Sequence, residues 1–213
     1  MIAAMSGPSA PPVAGFVESA FNPMVYQAVE RCLTARPGDG ARTAMALAST
    51  MGDAATLDLG SRLLVAGQVH NPLLFMQSTA NAVLGRLSRE FAITGPLLCL
   101  STVADPADEL LAAAELLLED EELDRVVLIG VELTGSERTT AAYRELRTGP
   151  PAADLAVALV LDRDDPLPRP PSDIPPTPSG EYGTLRGLVE LAARIQGTSQ
   201  SCCQAAPVTG GEA

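Results

Sequence analysis

Few side chains in this sequence can serve as a nucleophile, a base or a metal ligand. The single histidine, His70, lies in the turn His70-Asn71-Pro72, so a histidine-based triad or metal cluster would have at most one member. Ser101 and Ser136 stand near the ends of apolar runs, where nucleophiles often sit, but neither is set in a G-x-S-x-G elbow. Cys32 and Cys99 fall inside apolar segments, and Cys202 and Cys203 are adjacent. Without a C-x-x-C pair, neither a zinc site nor a disulfide framework is indicated, and reduced thiols suit a reducing compartment. There is no P-loop and no G-x-G-x-x-G after a strand, Gly38-Asp39-Gly40 being a turn signal. No metal and no cofactor is expected, and motifs alone name no catalytic centre.

Composition narrows the classes further. A length of 213 residues predicts about one domain, with the remainder left for connectors and ends. With 33 Ala, 29 Leu and only 3% aromatic residues, the interior must be packed with small aliphatic side chains. The 26 acidic residues outnumber 14 basic ones, all arginine, for a net charge of -12. That field repels nucleic acid and anionic membranes. No run approaches the roughly 18–20 apolar residues that span a bilayer. The opening MIAAMSGPSAPP lacks both a basic n-region and a sustained apolar h-region, so the chain is read as cytoplasmic.

The elements that would position any site alternate in type. Residues 1–12 and 198–213 are small, polar and rich in Gly and Pro, and read as flexible ends. Asn22-Pro23 reads as a helix cap followed by proline at the first helical position, with Val25, Val29, Cys32 and Leu33 at helical spacing. TAMALAS, 43–49, reads as a buried strand, and 57–67 as a short helix. A helix over about 77–92 would carry Ala80, Val83, Leu84, Leu87 and Phe91 on one face. LLCLS, 97–101, suits a strand covered on both faces, and Asp105-Pro106 opens a helix through Leu118 that ends in the acidic EDEELD. RVVLIGVEL, 125–133, and DLAVALVLD, 154–162, are near-continuous apolar strands of the kind covered by helices on both sides. The loop 134–153 either crosses over or returns the last strand antiparallel. A proline-rich connector, 163–183, then leads to a C-terminal helix over 184–197 that packs on the 13–162 core. The fold class is α/β, a layered and mostly parallel mixed sheet with helices on both faces.

Within this plan, Arg42 to Leu133 resembles the N-terminal half of the beta-ketoacyl-acyl carrier protein synthases, condensing enzymes of the thiolase fold. The resemblance rests on RTAMALASTMGD, NPLLFMQSTANAVLGRLSREFAITGP, LLCLSTVAD and RVVLIGVEL. The second segment matches that family's pattern at Pro72, Phe75, Ser78, Asn81-Ala82, Gly85 and Gly95-Pro96. Glycine inside a helix costs about 1 kcal/mol against alanine, so Gly85 suggests a close approach by a neighbouring element. Asn81 is suited to tying down a nearby loop.

The resemblance also implies what is missing. Where the family carries its acyl-accepting cysteine, this chain reads Ser101, Thr102, Val103, Ala104, Asp105, Pro106, and the nucleophile position falls on Ala104. The second half of the family's fold, with its catalytic histidines, is absent, and His70 matches none of those positions. The chain is therefore similar to shortened, chain-length-factor-like members, half of a thiolase-like fold acting as a non-catalytic pseudoenzyme subunit in fatty acid or polyketide, polyene-type, biosynthesis. The implied partner is an active ketosynthase in a heterodimer, or a second copy in a homodimer, with the acyl carrier protein engaged indirectly. In that family the dimer forms through the strand before the nucleophile, here Leu97, Leu98, Cys99, Leu100 and Ser101. Phe75, Met76, Thr79 and Ala80 would then face the acyl tunnel. Two alternatives remain open: a small acyl-thioester enzyme using Cys99, Ser101 or His70, with Cys99 expected to lie buried in the sheet, and a degenerate remnant with no role.

Overall fold

The computed structural model describes residues 1–68, 71–103, 105–166 and 180–203, with side chains to residue 197. Five strands, β1 (Ile2–Ser6), β2 (Thr43–Ser49), β3 (Leu97–Ser101), β4 (Arg125–Glu132) and β5 (Leu155–Asp162), form one sheet in the order β1-β5-β4-β2-β3. β2 pairs parallel with β3 and with β4, whereas β5 runs antiparallel to β4 and to β1. The sheet is thus mixed, with the antiparallel pairs matching the parallel ones in number. The helices are α1 (Phe21–Ala35), α2 (Ala54–Val65), α3 (Pro72–Gln77), α4 (Asn81–Glu90), α5 (Pro106–Leu118), α6 (Glu137–Leu146) and α7 (Arg186–Cys203).

Alternation along the central strands sorts their side chains onto two cores. Ala44, Ala46 and Ala48 of β2, Val126 and Leu128 of β4, and Val157, Leu159 and Leu161 of β5 meet α5 through Leu110 and Ala114 and α7 through Leu188, Leu191 and Ala192. The opposite face presents Met45, Leu47, Val127, Ile129, Ala158 and Val160 to α1 and α4. Both faces of these strands are covered, which explains their unbroken apolar runs. Gly130 lets α7 sit close. A Cβ there would lie 2.2 Å from Leu188 Cδ1 and 2.9 Å from Leu185 Cδ2, both of fully buried leucines. Gly130→Val is expected to cost about 2 kcal/mol or more by overpacking. Thermal melting should show Tm lower by at least about 4 °C; an unchanged Tm would contradict this packing.

Several elements depart from the sequence reading. Residues 2–6, expected to be flexible, form β1 along β5, in register from Ile2 with Val160 to Ser6 with Ala156. A short IAAM run cannot announce a partner more than 150 residues away, which is why this strand was illegible locally. α1 starts one residue before Asn22, and Ser19 takes the capping role by accepting the Asn22 N–H at 3.1 Å. Pro23 still falls in the first turn, where its missing N–H costs nothing.

The helix expected over 77–92 is shorter, α4 starting only at Asn81, and a separate short helix, α3, precedes it. Ser78 and Thr79 donate their hydroxyls back to the carbonyls of Phe75 at 2.8 Å and Met76 at 3.1 Å. This is the local side-chain competition that interrupts helices. The 134–153 loop contains α6, opened by Ser136, whose Oγ accepts from the Thr139 N–H at 3.0 Å. The C-terminal helix runs past 197 to Cys203, into the segment read as a flexible tail. Residues 167–179 of the connector, the 204–213 end, His70 and Ala104 lie outside the described residues.

The two glycines singled out by sequence behave differently. A Cβ on Gly95 would lie 2.4 Å from the Thr43 carbonyl oxygen, so that turn requires glycine. At Gly85, on the exposed side of α4, a Cβ would meet nothing within 4 Å among the described residues, and the expected close approach is absent among them. Asn81 is likewise exposed and, among the described residues, ties down no loop.

Candidate functional site

The polar chemistry of this chain gathers where the three parallel strands end. Glu132 closes β4 and is 1% exposed. Its Oε1 accepts from the Thr50 N–H at 2.7 Å and the Thr50 hydroxyl at 2.8 Å, just beyond β2. Its Oε2 has no partner of normal geometry, although the Tyr143 hydroxyl lies beside the carboxyl. The hydroxyl of buried Thr102, just past β3, is also unpartnered. Burial pushes the Glu132 carboxyl above its ordinary range, against the hydrogen bonds from Thr50 that favour the charged form.

A carboxyl raised in the folded state keeps its proton to higher pH than in the unfolded chain. Its contribution is fully present below the ordinary glutamate value and is lost as pH rises through the folded pKa. Asp53 and Asp105, also raised chiefly by burial, act with the same sign. Glu132→Gln keeps an oxygen for Thr50 and removes the charge. Its Tm is expected to gain on the parent as pH rises above the ordinary glutamate range; parallel pH profiles would contradict a raised Glu132.

A second knot fastens the helices beside these strand ends. Buried Asn22 donates to Ser19 Oγ at 2.9 Å, to Asp53 Oδ2 at 3.4 Å and to the Gln77 carbonyl at 3.1 Å. Ser19 donates to Asp53 Oδ2 at 2.7 Å, and Asp53 Oδ1 accepts the Thr56 N–H at 3.2 Å, capping α2. Gln77 also exchanges hydrogen bonds with the backbone of Val17. One asparagine therefore links α1, the start of α2 and the end of α3.

These fastenings hold α2 and α3 out from the core with their apolar sides uncovered. Only Ala54 and Thr56 of α2 are buried, and Leu64 and Val65 are 63% and 89% exposed. On α3, Leu73, Phe75 and Met76 are exposed, Phe75 at 73%. β3 is an outer strand of the sheet: Leu97, Cys99 and Ser101 are exposed, and Leu98 and Leu100 are half-buried against the α5 side. The expectation that LLCLS is covered on both faces, with Cys99 buried, fails because among the described residues β3 has a strand neighbour on one side only and its odd-numbered side chains are left exposed.

No family model matches this chain, and no curated protein matches it. Among solved structures, the complex of a ketosynthase (ApeO) with its chain length factor (ApeC) from Xenorhabdus doucetiae aligns at TM-score 0.57 and 15% identity, over 76% of this chain and 77% of that one. The fold is ketosynthase-like. A beta-ketoacyl synthase from Burkholderia phymatum aligns at TM-score 0.53 and 17% identity over 72% of this chain. The type II polyketide ketosynthase and acyl carrier protein complex AntDE:AntF aligns at 0.53 and 12% over 68%. In each of these two, the chain spans about half of the matched chain, 47%.

On this ketosynthase-like fold, the candidate nucleophiles are poorly armed. Cys99 is exposed, yet partial burial of its sulfur pushes the thiol up to about 11. Among the described residues, no acid or base is hydrogen-bonded to the Cys99 thiol or the Ser101 hydroxyl. Ser136 is committed as a helix cap. Asp105 caps α5 by accepting from Ala107 N–H at 2.9 Å and ties α7 to it through Gly187 N–H at 2.6 Å. Among the described residues, no group of three potential metal ligands occurs, and no helix is long and apolar enough to cross a membrane.

Of the residues assigned to a tunnel, Phe75, Met76 and Thr79 lie on the surface and Ala80 is half-buried against the α1 side of the core. Sequence reasoning missed the Glu132 and Asn22 knots. Both residues were legible as polar interruptions, Glu132 in an apolar strand and Asn22 beside Pro23, but their partners are distant in sequence.

Proposed function

We propose that this chain is a non-catalytic ketosynthase-like subunit that pairs with an active ketosynthase and helps shape its acyl tunnel. The observation that carries the reading is the open edge of β3, with the uncovered apolar side chains of α2 and α3 as further exposed apolar surface. An unpaired strand edge with exposed Leu97 and Val103, and exposed Leu73, Phe75 and Met76 on α3, are surfaces of the kind that a partner covers. A ketosynthase–chain length factor complex among the structural neighbours supports the same arrangement. The partner strand would add to Leu97–Ser101, leaving Phe75, Met76, Thr79 and Ala80 toward the partner's growing chain, with Ala104 at the position of the missing nucleophile. The same edge would serve a homodimer when no ketosynthase is present. With a net charge of -12, the chain is poorly suited to dock an acidic carrier protein alone, so carrier contact falls to the partner.

The test is co-expression of the tagged chain with candidate ketosynthases, followed by size-exclusion chromatography and mass analysis. A stoichiometric complex is expected, and in it Ala80→Leu or Met76→Ala should shift product chain length. A solitary monomer would overturn the pairing, and unchanged products from both variants would overturn the tunnel. The exposure of Cys99 leaves an independent acyl-thioester enzyme as the second reading. A thiol near 11 is only about one part in ten thousand thiolate at pH 7, which weighs against it. Acylation of the free chain, lost in Cys99→Ala, would favour that reading.

A further inference from the structure

The sheet has two outer strands, and their open edges are built differently. Among the described residues no strand adds to the ladder beyond β1, as none does beyond β3. On β1, the Met5 carbonyl accepts from Arg31 Nη1 of α1 at 2.9 Å, and the Ala3 carbonyl accepts from Gln196 Nε2 of α7 at 3.2 Å. Residues two apart in an antiparallel ladder send their backbone groups to the same side. A helix side chain reaches those of an outer strand from its open side, since β5 fills the other, in register from Ile2 to Ser6. α1 and α7 pack on opposite faces of the sheet, so the two side chains close on the edge from above and below. Ser6 is fastened as well: its hydroxyl donates to Gln27 Oε1 at 2.6 Å, and Gln27 stands one helical turn before Arg31. On β3, among the described residues, no side chain hydrogen-bonds a backbone group of Leu97, Cys99 or Ser101. Arg31 and Gln196 are both exposed, so burial does not dictate where they lie.

We propose that Arg31 and Gln196 close the β1 edge to strand addition. The occupant they keep out is a second copy of this chain, whose Ile2–Ser6 could otherwise lie antiparallel to the same segment about a two-fold axis. The strand itself, IAAMS, carries no charge and no proline, two of the features by which an edge strand guards itself, so the guard has to come from the neighbouring helices. An incoming strand needs the Ala3 and Met5 carbonyls as acceptors for its own N–H groups and has to displace both side chains to reach them. The inference concerns the edge opposite β3 and stands whether or not β3 pairs with a ketosynthase.

The test compares the full-length chain with its Arg31→Ala, Gln196→Ala double variant by sedimentation equilibrium over a range of concentrations, with amide exchange reporting which edge associates. With two carbonyls freed, at about one net hydrogen bond each, self-association should tighten about 30-fold. Loss of an arginine makes the chain more acidic and adds repulsion between copies, so charge does not produce that gain. The Ala3 and Met5 N–H groups should gain protection with concentration, while exchange at Leu97, Cys99 and Ser101 stays as in the parent. Adding Met5→Pro, which takes away an outward N–H on an outer strand, should return association to the parental level. Self-association equal to the parent's, a gain that survives Met5→Pro, or protection gained at β3 instead would overturn the proposal. So would loss of the folded circular dichroism spectrum in the double variant, which would show that the two side chains hold β1 on the sheet and do not guard it.

Discussion

Cys99→Pro is expected to abolish the complex with a ketosynthase while leaving this chain folded. In β3 the Thr102 N–H donates to the Ser49 carbonyl, and the Pro96 carbonyl accepts from the Met45 N–H at 2.9 Å, so even-numbered residues turn their backbone groups toward β2. In a parallel ladder the residues between them turn theirs the other way. The N–H of Cys99 therefore points out along the open edge. Proline there removes an outward donor and sets its ring where a pairing strand would lie, and edge strands tolerate proline in that orientation. The carbonyl left unpaired on the incoming strand costs about 1–3 kcal/mol, which weakens association by about 5- to 150-fold. Leu98→Pro is the contrasting variant, since its N–H faces β2 and its loss should unfold the strand itself. The check is co-purification together with thermal melting. A Cys99→Pro chain that melts like the parent and still co-purifies in full would show that β3 is not the pairing edge.

Asn22→Leu is expected to produce the largest loss of stability and to loosen the same surface. The leucine matches asparagine roughly in size, so the effect is not a cavity. It removes the side-chain donor to the Gln77 carbonyl and weakens the hydrogen bonding of Ser19 Oγ and Asp53 Oδ2, which keep the Asn22 N–H and the Ser19 hydroxyl respectively, at a position with 0% exposure. A buried acceptor left without its donor costs about 1–3 kcal/mol. With Asp53 already raised by desolvation, a total near 3 kcal/mol is expected. Melting should show Tm lower by about 6–12 °C. Amide exchange should rise first in α3 and at the start of α2, because these are the elements that Asn22 fastens. A variant with parental Tm, or one whose exchange rises uniformly, would contradict the role of this knot.

What the sequence made legible was the buried part of the fold. β2, β4 and β5 carry apolar runs long enough to mark central strands, and α5 was announced by Asp105-Pro106. α6 was missed because its only buried residues, Thr139 and Tyr143, give no apolar stripe. β1 was missed because pairing with β5 is set by distant residues. The break between α3 and α4 depends on two hydroxyls turning back on their own backbone, a choice that helical periodicity cannot record. For the candidate site, the pattern from Pro72 to Pro96 drew attention to a region where Phe75, Met76 and Leu97 are each exposed. It misjudged Cys99, because apolarity alone does not distinguish a central strand from an outer one.

The most direct measurement is amide hydrogen exchange at Leu97, Cys99 and Ser101, in the free chain and in the co-purified ketosynthase complex. These N–H groups face the open edge and should exchange rapidly in the free chain. On complex formation they should become strongly protected, along with weaker protection across α3. Failure of any complex to form, or exchange at these three positions that is the same in both states, would contradict the pairing of β3 with a ketosynthase.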